Sequence, residues 1–380
     1  MKIGIITILK VNNYGAELQA YATQAILKKL GHDAEIIDYL FYKNPDFKKT
    51  AKSSPLFRFS IKTRIAEYVL PLITRFREFC HRKASRARMW RFNRFHSENT
   101  SMSATYHSIE ELYNARLDYD VYITGSDQVW NPGIYSSILP YFLDFAPSGA
   151  RRIAYASSFG VAEIPNFARH TYEHYLKRYH AIGVREKNAI AIVKDVAGRD
   201  STHVLDPTLL LKNEEWGKIA KPIGENLDRY ILLYELTPCS YIRTLAEHIK
   251  AKKGWNIVRV CKNAIKYDNC DSIIEITDAG PAEFLWLFAN AEMIITNSFH
   301  GTAFAVNFQK SFYTILPSRK RNNSRQLSLM EMLHLTARAL PEGAPLPDEA
   351  SFITDFSEAN AILENERKKS INFLTTAINE

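Results

Sequence analysis

Residues 293–310 read MIITNSFHGTAFAVNFQK. Met293 to Thr296 is a short apolar run of the kind buried on both faces of a parallel sheet. Asn297 and Ser298 are helix-capping types, and from Phe299 the pattern turns helical, with Gly301, Thr302, Ala303 and Ala305 small enough for close packing. A strand that passes directly into a helix sets His300 and the free N–H groups of the helix start at the carboxyl end of the sheet. Open parallel sheets take their ligands at that edge, and helix N-termini favour anions. His300 is then either a ligand-contacting group or a histidine satisfied within the helix start.

The same unit of strand, polar loop and helix recurs along the chain. A strand over 2–8 leads to Asn12, Asn13, Tyr14 and Gly15, followed by a helix over about 16–30 with Glu17 and Gln19 in its first turns. A strand over 34–39 completes a β-α-β unit. Residues 120–124 lead into Gly125, Ser126 and Asp127, with Trp130 and the turn Asn131-Pro132-Gly133 beyond; residues 152–156 end in Ser157, Ser158 and Gly160. Residues 181–184 end in Arg185-Glu186-Lys187. An arginine there offers a planar fork to carboxylate or phosphate oxygens, or forms a salt bridge to Glu186 or another acid nearby. The run 202–211, containing Asp206-Pro207, closes the first half, and 212–228 turns polar. Strands are then expected at 230–235, 256–260, 273–276, 293–296 and 312–316, the last followed by PSRKRNNSRQ with Arg319, Lys320, Arg321 and Arg325.

This alternation predicts an α/β chain of two doubly wound, Rossmann-like domains facing each other across a cleft. The boundaries expected are 1–211, carrying a basic helical insertion at about 43–95, then 228–350, and a helix over 356–380 packing back on the first domain. A length of 380 residues suits two cores. The N-terminal apolar run is too short for a signal peptide, and no stretch approaches a membrane span. Cys80, Cys239, Cys261 and Cys270 show no metal-ligand or disulfide rhythm, which suits reduced thiols in a cytoplasmic protein. No other residue pattern reads as a metal centre.

The net charge of +8 is concentrated. Between Lys43 and Arg94 stand 15 Lys/Arg against three acids, a balance of +12 that leaves −4 for the rest. Nucleic-acid affinity would spread basic groups over the fold with aromatic stacking platforms, so no nucleic-acid partner is expected. One cationic segment reads as a surface for anionic lipid headgroups at the inner membrane face, for a phosphorylated acceptor, or as a solvated helix face.

At the strand ends the anion-binding groups are Arg185, Lys187, His300, Arg319, Arg321, Arg325 and the helix N-termini, with Asp127, Glu17 and Glu186 as proton carriers. Such a set suits a small, doubly charged anion and a hydroxyl-rich second substrate.

The ordered segments NNYGAELQAYATQ, DVYITGSDQVWNP, RRIAYASSFG, GVREKNA, VLDPTLLL and ITNSFHGTAFAVNFQKSFY resemble the polysaccharide pyruvyl transferase family over roughly residues 1–335. The resemblance implies a glycosyltransferase-B-like fold and transfer of the enolpyruvyl unit of phosphoenolpyruvate to a sugar diol. The product would be a cyclic ketal on a bacterial surface polysaccharide or its precursor, such as a 4,6-ketal on galactose, with phosphate released. Phosphoenolpyruvate would be a co-substrate, with no further cofactor and no metal. Under this reading Arg185, Lys187, Asn297, Ser298, His300, Arg319, Arg321 and Arg325 hold the donor, and His300 also serves as acid. Asp127, with Glu17 second, activates a sugar hydroxyl, and Asn12, Asn13, Tyr14, Gln19, Ser126, Asn131 and Ser157 line the acceptor pocket. The acceptor is expected on a lipid diphosphate, with residues 43–94 meeting the membrane. Many family members carry an arginine two residues before the histidine; here that position is Ser298, so the charge must come from Arg319, Arg321 or Arg325. The rival readings are a nucleotide-sugar glycosyltransferase and a non-catalytic glycan or lipid-intermediate binding protein.

Overall fold

The computed structural model describes residues 1–50, 82–133, 138–224, 226–261, 273–318 and 323–380. The chain divides into two compact units. One comprises Met1–Cys80, Ser97–Leu210 and Glu366–Glu380; the other comprises His81–His96 and Leu211–Asn365.

In the first unit, β1 (Lys2–Ile6), β2 (Asp33–Ile36), β3 (Val121–Thr124), β4 (Arg151–Ser157), β5 (Ala181–Val184) and β6 (Thr202–His203) form a sheet in the order β2-β1-β3-β4-β5-β6. Every neighbouring pair is parallel. In the second, β7 (Tyr230–Tyr234), β8 (Asn256–Val260), β9 (Ile273–Ile276), β10 (Met293–Thr296), β11 (Ser311–Leu316) and β12 (Ala339–Pro341) form another parallel sheet, ordered β12-β11-β10-β7-β8-β9. Relabelled from its own start, the second is the 3-2-1-4-5-6 Rossmann order, and the first is the flavodoxin-like 2-1-3-4-5 order with a sixth strand added. Central strands such as Val121–Thr124 and Met293–Thr296 are buried at every position, which is why they read as continuous apolar runs. The edge strand β12 was not expected. Its three residues ALP are too short a stretch to read as a strand and end in proline, and only the register with β11 makes it one.

The basic segment divides differently from the expectation that placed it in the first domain. Residues 51–81 lie outside the described residues. Helix Arg82–Asn99 is described, and its part up to His96 belongs to the second unit. Arg91 Nη1 lies 3.0 Å from Asp278 Oδ2, and Arg94 Nη2 lies 2.7 Å from Glu283 Oε1. Arg88 is buried and donates to the carbonyl of Cys261 at 3.2 Å. Three cations that look like a solvated face in sequence are therefore engaged by groups some 170–190 residues away.

The terminal helix Ser357–Asn379 ends on the first unit. There Ser370 Oγ accepts from the Leu205 N–H at 2.9 Å, Arg367 Nε donates to the Leu209 carbonyl at 2.6 Å, and Arg151 Nη1 donates to the Ala377 carbonyl at 3.1 Å. The Phe373 ring lies against Gly183 of β5, where an added Cβ would stand 2.7 Å from ring Cε1 and 3.1 Å from the Ala154 carbonyl. Replacing Gly183 by alanine should push the ring off the strand and lower stability by about 1–3 kcal/mol through overpacking. A urea unfolding curve of the variant checks this.

Candidate active site

Strand order reverses between β1 and β3 in the first sheet and between β7 and β10 in the second. At such a switch point, adjacent connections leave on opposite faces and open a crevice at the carboxyl ends of the strands. In each unit the expected site residues follow those strands. Asn12, Asn13 and Tyr14 come after β1, Ser126 and Asp127 after β3, and Asn297, Ser298 and His300 after β10.

In the first unit the crevice is tied across its two sides. Thr7 Oγ1 donates to the Ser126 carbonyl at 2.8 Å, and Gln19 Nε2 donates to Thr7 Oγ1 at 2.8 Å and to the Ala16 carbonyl at 3.0 Å. Gln19 is therefore a fully buried brace and does not line an open pocket. Ser157 is also fully buried, its hydroxyl donating to the carbonyl of Gly125 at 3.0 Å. Asn13 caps helix Tyr14–Lys29 by accepting from the Gly15 N–H at 3.0 Å, while Tyr14 and Glu17 are buried in that helix. Asn131 donates to Gln128 Oε1 at 2.8 Å and accepts from the Gly133 N–H at 2.8 Å, and keeps part of its surface in solvent, as does Asn12.

Arg185 is the hub of this edge. Its Nη1 lies 3.1 Å from Asp206 Oδ2, its Nε 3.0 Å from Glu186 Oε1, and its Nη2 4.0 Å from Asp127 Oδ1. The fork offered in sequence to a substrate anion is thus taken by acids, the salt-bridge alternative. Burial works to lower the Arg185 pKa, but Glu186, Asp206 and Asp127 outweigh it and raise it, so the guanidinium stays charged. Among the described residues, Arg185 and these three carboxylates carry a formal charge of −2 between them.

Asp206 went unrecognised as a site residue. Its Oδ2 also accepts from Ser126 Oγ at 2.9 Å, and its Oδ1 from the Thr208 N–H at 3.0 Å and hydroxyl at 2.7 Å. The Asp-Pro pair just after β6 was the available signal. Of the three carboxylates, Asp127 alone reaches solvent appreciably: its side chain is 14% exposed, against 5% for Glu186 and 0% for Asp206. Asp127 also has left-handed backbone (φ 71°), as do Lys10, Asn12 and Ala156 on the same edge. Ala156 sits where the register between β4 and β5 shifts. Such strained non-glycine positions collect at functional sites. Lys43 lies within electrostatic range of Asp127.

The second unit builds its edge around Asn297. That amide spans the switch point, accepting from the Leu236 N–H at 2.8 Å and donating to the Thr237 carbonyl at 2.6 Å. Ser298 caps helix Phe299–Asn307 by accepting from the Gly301 N–H at 3.3 Å, and its own N–H donates to Thr296 Oγ1 at 3.0 Å. A Cβ on Gly301 would overlap Thr296 Oγ1, which is itself held by the Tyr234 carbonyl at 2.5 Å. Asn297 and Ser298 thus shape the turn with their side chains, and His300 occupies the first turn of the helix they start. Gln326 Nε2 donates to the Asn297 carbonyl at 3.1 Å, which ties the start of helix Ser324–Met332, and Arg325 with it, to this loop. Arg319 and Arg321 lie outside the described residues; Lys187 is exposed at the start of helix Lys187–Ala197.

A second buried arginine was also missed. Arg259 of β8 lies 3.3 Å from Glu235 Oε1 and pairs with Glu275. Breaking such a buried arrangement is costly, because it strands a charge. Asp206→Ala should therefore destabilise the protein by about 3 kcal/mol, the low end for a broken buried pair since Glu186 still faces Arg185, and Asp206→Asn by less; urea titration of both variants measures the difference.

A family model described as polysaccharide pyruvyl transferase matches residues 13–319, which include Asp127, Arg185, Asp206, Asn297 and His300. No curated protein sequence matches the chain. Similar solved structures include UDP-GlcNAc 2-epimerase from Neisseria meningitidis bound to UDP-GlcNAc (8% identity, 99% of each chain, TM-score 0.49) and a glycosyltransferase from Rickettsia africae (14% identity, 99% of this chain and 95% of the other, TM-score 0.44). MurG from Acinetobacter baumannii is similar at 9% identity, over 99% of this chain and 93% of the other, with a TM-score of 0.40. Likeness at this level carries no inference about ligand or mechanism, and the assignment rests on the sequence match. With that match running through both switch points, the chain belongs to the polysaccharide pyruvyl transferase family.

Proposed function

We propose that the protein transfers the enolpyruvyl unit of phosphoenolpyruvate to two hydroxyls of a hexose in a polysaccharide precursor, forming a cyclic ketal and releasing phosphate. In the first step C3 of the donor takes a proton and a sugar hydroxyl adds to C2. A second hydroxyl of the same sugar then adds to C2 as the C2–O bond to phosphate breaks. One hydroxyl proton balances the new methyl group, and the other leaves with phosphate.

Asp127 accepts the hydroxyl proton. The observation that carries this role is its geometry: it is the most exposed carboxylate of the Arg185 cluster, on strained backbone at the switch point of its sheet. Arg185 orients this acid and Asp206, and the net negative charge of the cluster favours a neutral sugar over the anionic donor. Asn12 and Asn131, both partly exposed on this edge, contact acceptor hydroxyls. A galactose 4,6-diol is the expected acceptor, carried on a lipid diphosphate.

Donor binding is assigned to the second unit. The backbone N–H groups at the start of helix Phe299–Asn307, the His300 imidazole and Arg325 suit a phosphate and a carboxylate. His300 protonates or hydrogen-bonds the departing phosphate. Arg319 and Arg321 are assigned to the same anion, in place of the family arginine at the Ser298 position.

Calorimetry tests this division of labour. His300→Ala should weaken phosphoenolpyruvate binding at least tenfold, about 1.4 kcal/mol. Asp127→Asn should leave donor binding within about twofold and lower turnover by about 10²–10⁴, the usual worth of a general base. Wild-type protein that binds a nucleotide sugar and not phosphoenolpyruvate would establish the glycosyltransferase reading instead.

A further inference from the structure

Helix Arg82–Asn99 has two chemically different sides. Arg88, Arg91 and Arg94 make the contacts with Cys261, Asp278 and Glu283 described above, and Phe92 and Phe95 are buried. Lys83, Arg86, Trp90, Asn93 and Ser97 are exposed and recur at steps of three and four residues, which puts them on one stripe. Trp90 is 59% exposed and Met89, at the edge of the stripe, 39%, both large apolar side chains left in water. The Arg94 guanidinium carbon lies 4.7 Å from the centre of the Trp90 ring, so a cation flanks the indole even while its charge is shared with Glu283. The sequence holds no acid from Phe79 to Ser97; Glu98, near the helix end, is the first.

An exposed indole between long cationic side chains is suited to the boundary between lipid headgroups and acyl chains. The ring enters the boundary while the lysine and arginine stems lie along it and keep their charges at the phosphates. We propose that the face formed by Lys83, Arg86, Met89 and Trp90 docks the protein on an anionic lipid bilayer, with Trp90 as the inserted group. Charge complementarity selects this occupant, since the stripe is cationic and flanks an apolar ring. The proposal assigns the membrane contact to the exposed stripe and excludes Arg88 and Arg91, whose guanidinium groups are engaged by the second unit. It does not depend on the identity of the sugar acceptor or on the donor reading.

The test is co-sedimentation of the full chain with vesicles of phosphatidylcholine alone and of phosphatidylcholine with phosphatidylglycerol. Wild type should bind the anionic vesicles only, with a blue shift in tryptophan emission that is absent from Trp90→Phe. The double variant K83Q/R86Q should bind about 30-fold more weakly, at about 1 kcal/mol for each cation near an anionic surface. The control K218Q/K252Q, with the same loss of charge at exposed positions elsewhere in the second unit, should bind as wild type. Matched circular dichroism spectra and melting temperatures across the variants exclude unfolding as the cause. Equal binding to neutral vesicles, equal loss in the two double variants, or an unshifted Trp90 signal would overturn the proposal. So would a concentration-dependent dimer abolished by Trp90→Ala without vesicle binding, which would assign the stripe to a second copy of the chain.

Discussion

The ion pair between Arg185 and Asp206 organises the carboxyl edge of the first sheet. It joins the end of β5 to the loop after β6, and through Ser126 Oγ it reaches the end of β3. A buried guanidinium has a high desolvation cost unless its charge is matched, and three carboxylates within 4.0 Å supply that match. The backbone of the edge follows. Ser126 is held through its hydroxyl by Asp206 and through its carbonyl by Thr7, so the following Asp127 is fixed in a left-handed conformation that a free loop would leave. The guanidinium that reads in sequence as an anion clamp is thus internal scaffolding, and Asp127 is the most exposed carboxylate beside it.

At its switch point the second unit relies on a neutral amide. Asn297 uses both ends of its amide across the switch point, where a hydrogen-bonded amide carries a far smaller desolvation cost than an ion pair. A buried ion pair, Arg259 with Glu235 and Glu275, reaches the same edge from the β8 and β9 side, since Glu235 directly follows β7 and precedes Leu236, whose N–H Asn297 accepts. Helix Phe299–Asn307 has no acidic residue in its own first turn, and its cap is the neutral Ser298. Among the described residues the two edges are thus held differently: an arginine among three carboxylates in the first unit, an amide and a serine cap in the second.

The basic segment shows the limits of reading charge as a sum. A balance of +12 over residues 43–94 suggests one uniform cationic surface. Within the described helix the cations divide: Arg91 and Arg94 pair with Asp278 and Glu283, while Lys83 and Arg86 remain on the solvent side with Trp90. Helical periodicity could have separated the two stripes, but which stripe faces protein depends on a partner surface almost 200 residues later in the chain.

The sequence alone determined what depends on neighbours a few residues away. Apolar runs buried on both faces mark parallel strands, capping residues mark the helix starts, and the order of strand, loop and helix places Asp127, Arg185 and His300 at carboxyl ends, because strand direction and helix geometry are local properties. Tertiary structure decided what each of those groups does. Arg185 became a scaffold because Asp206, 21 residues on, returns beside it; Gln19 became a brace because Thr7 lies under its amide; the edge strand β12 exists only through its register with β11. A side chain's type fixes which interactions it can make, but whether a charge is left for a substrate depends on which distant groups the fold brings within about 3–4 Å, the range over which hydrogen bonds and ion pairs operate.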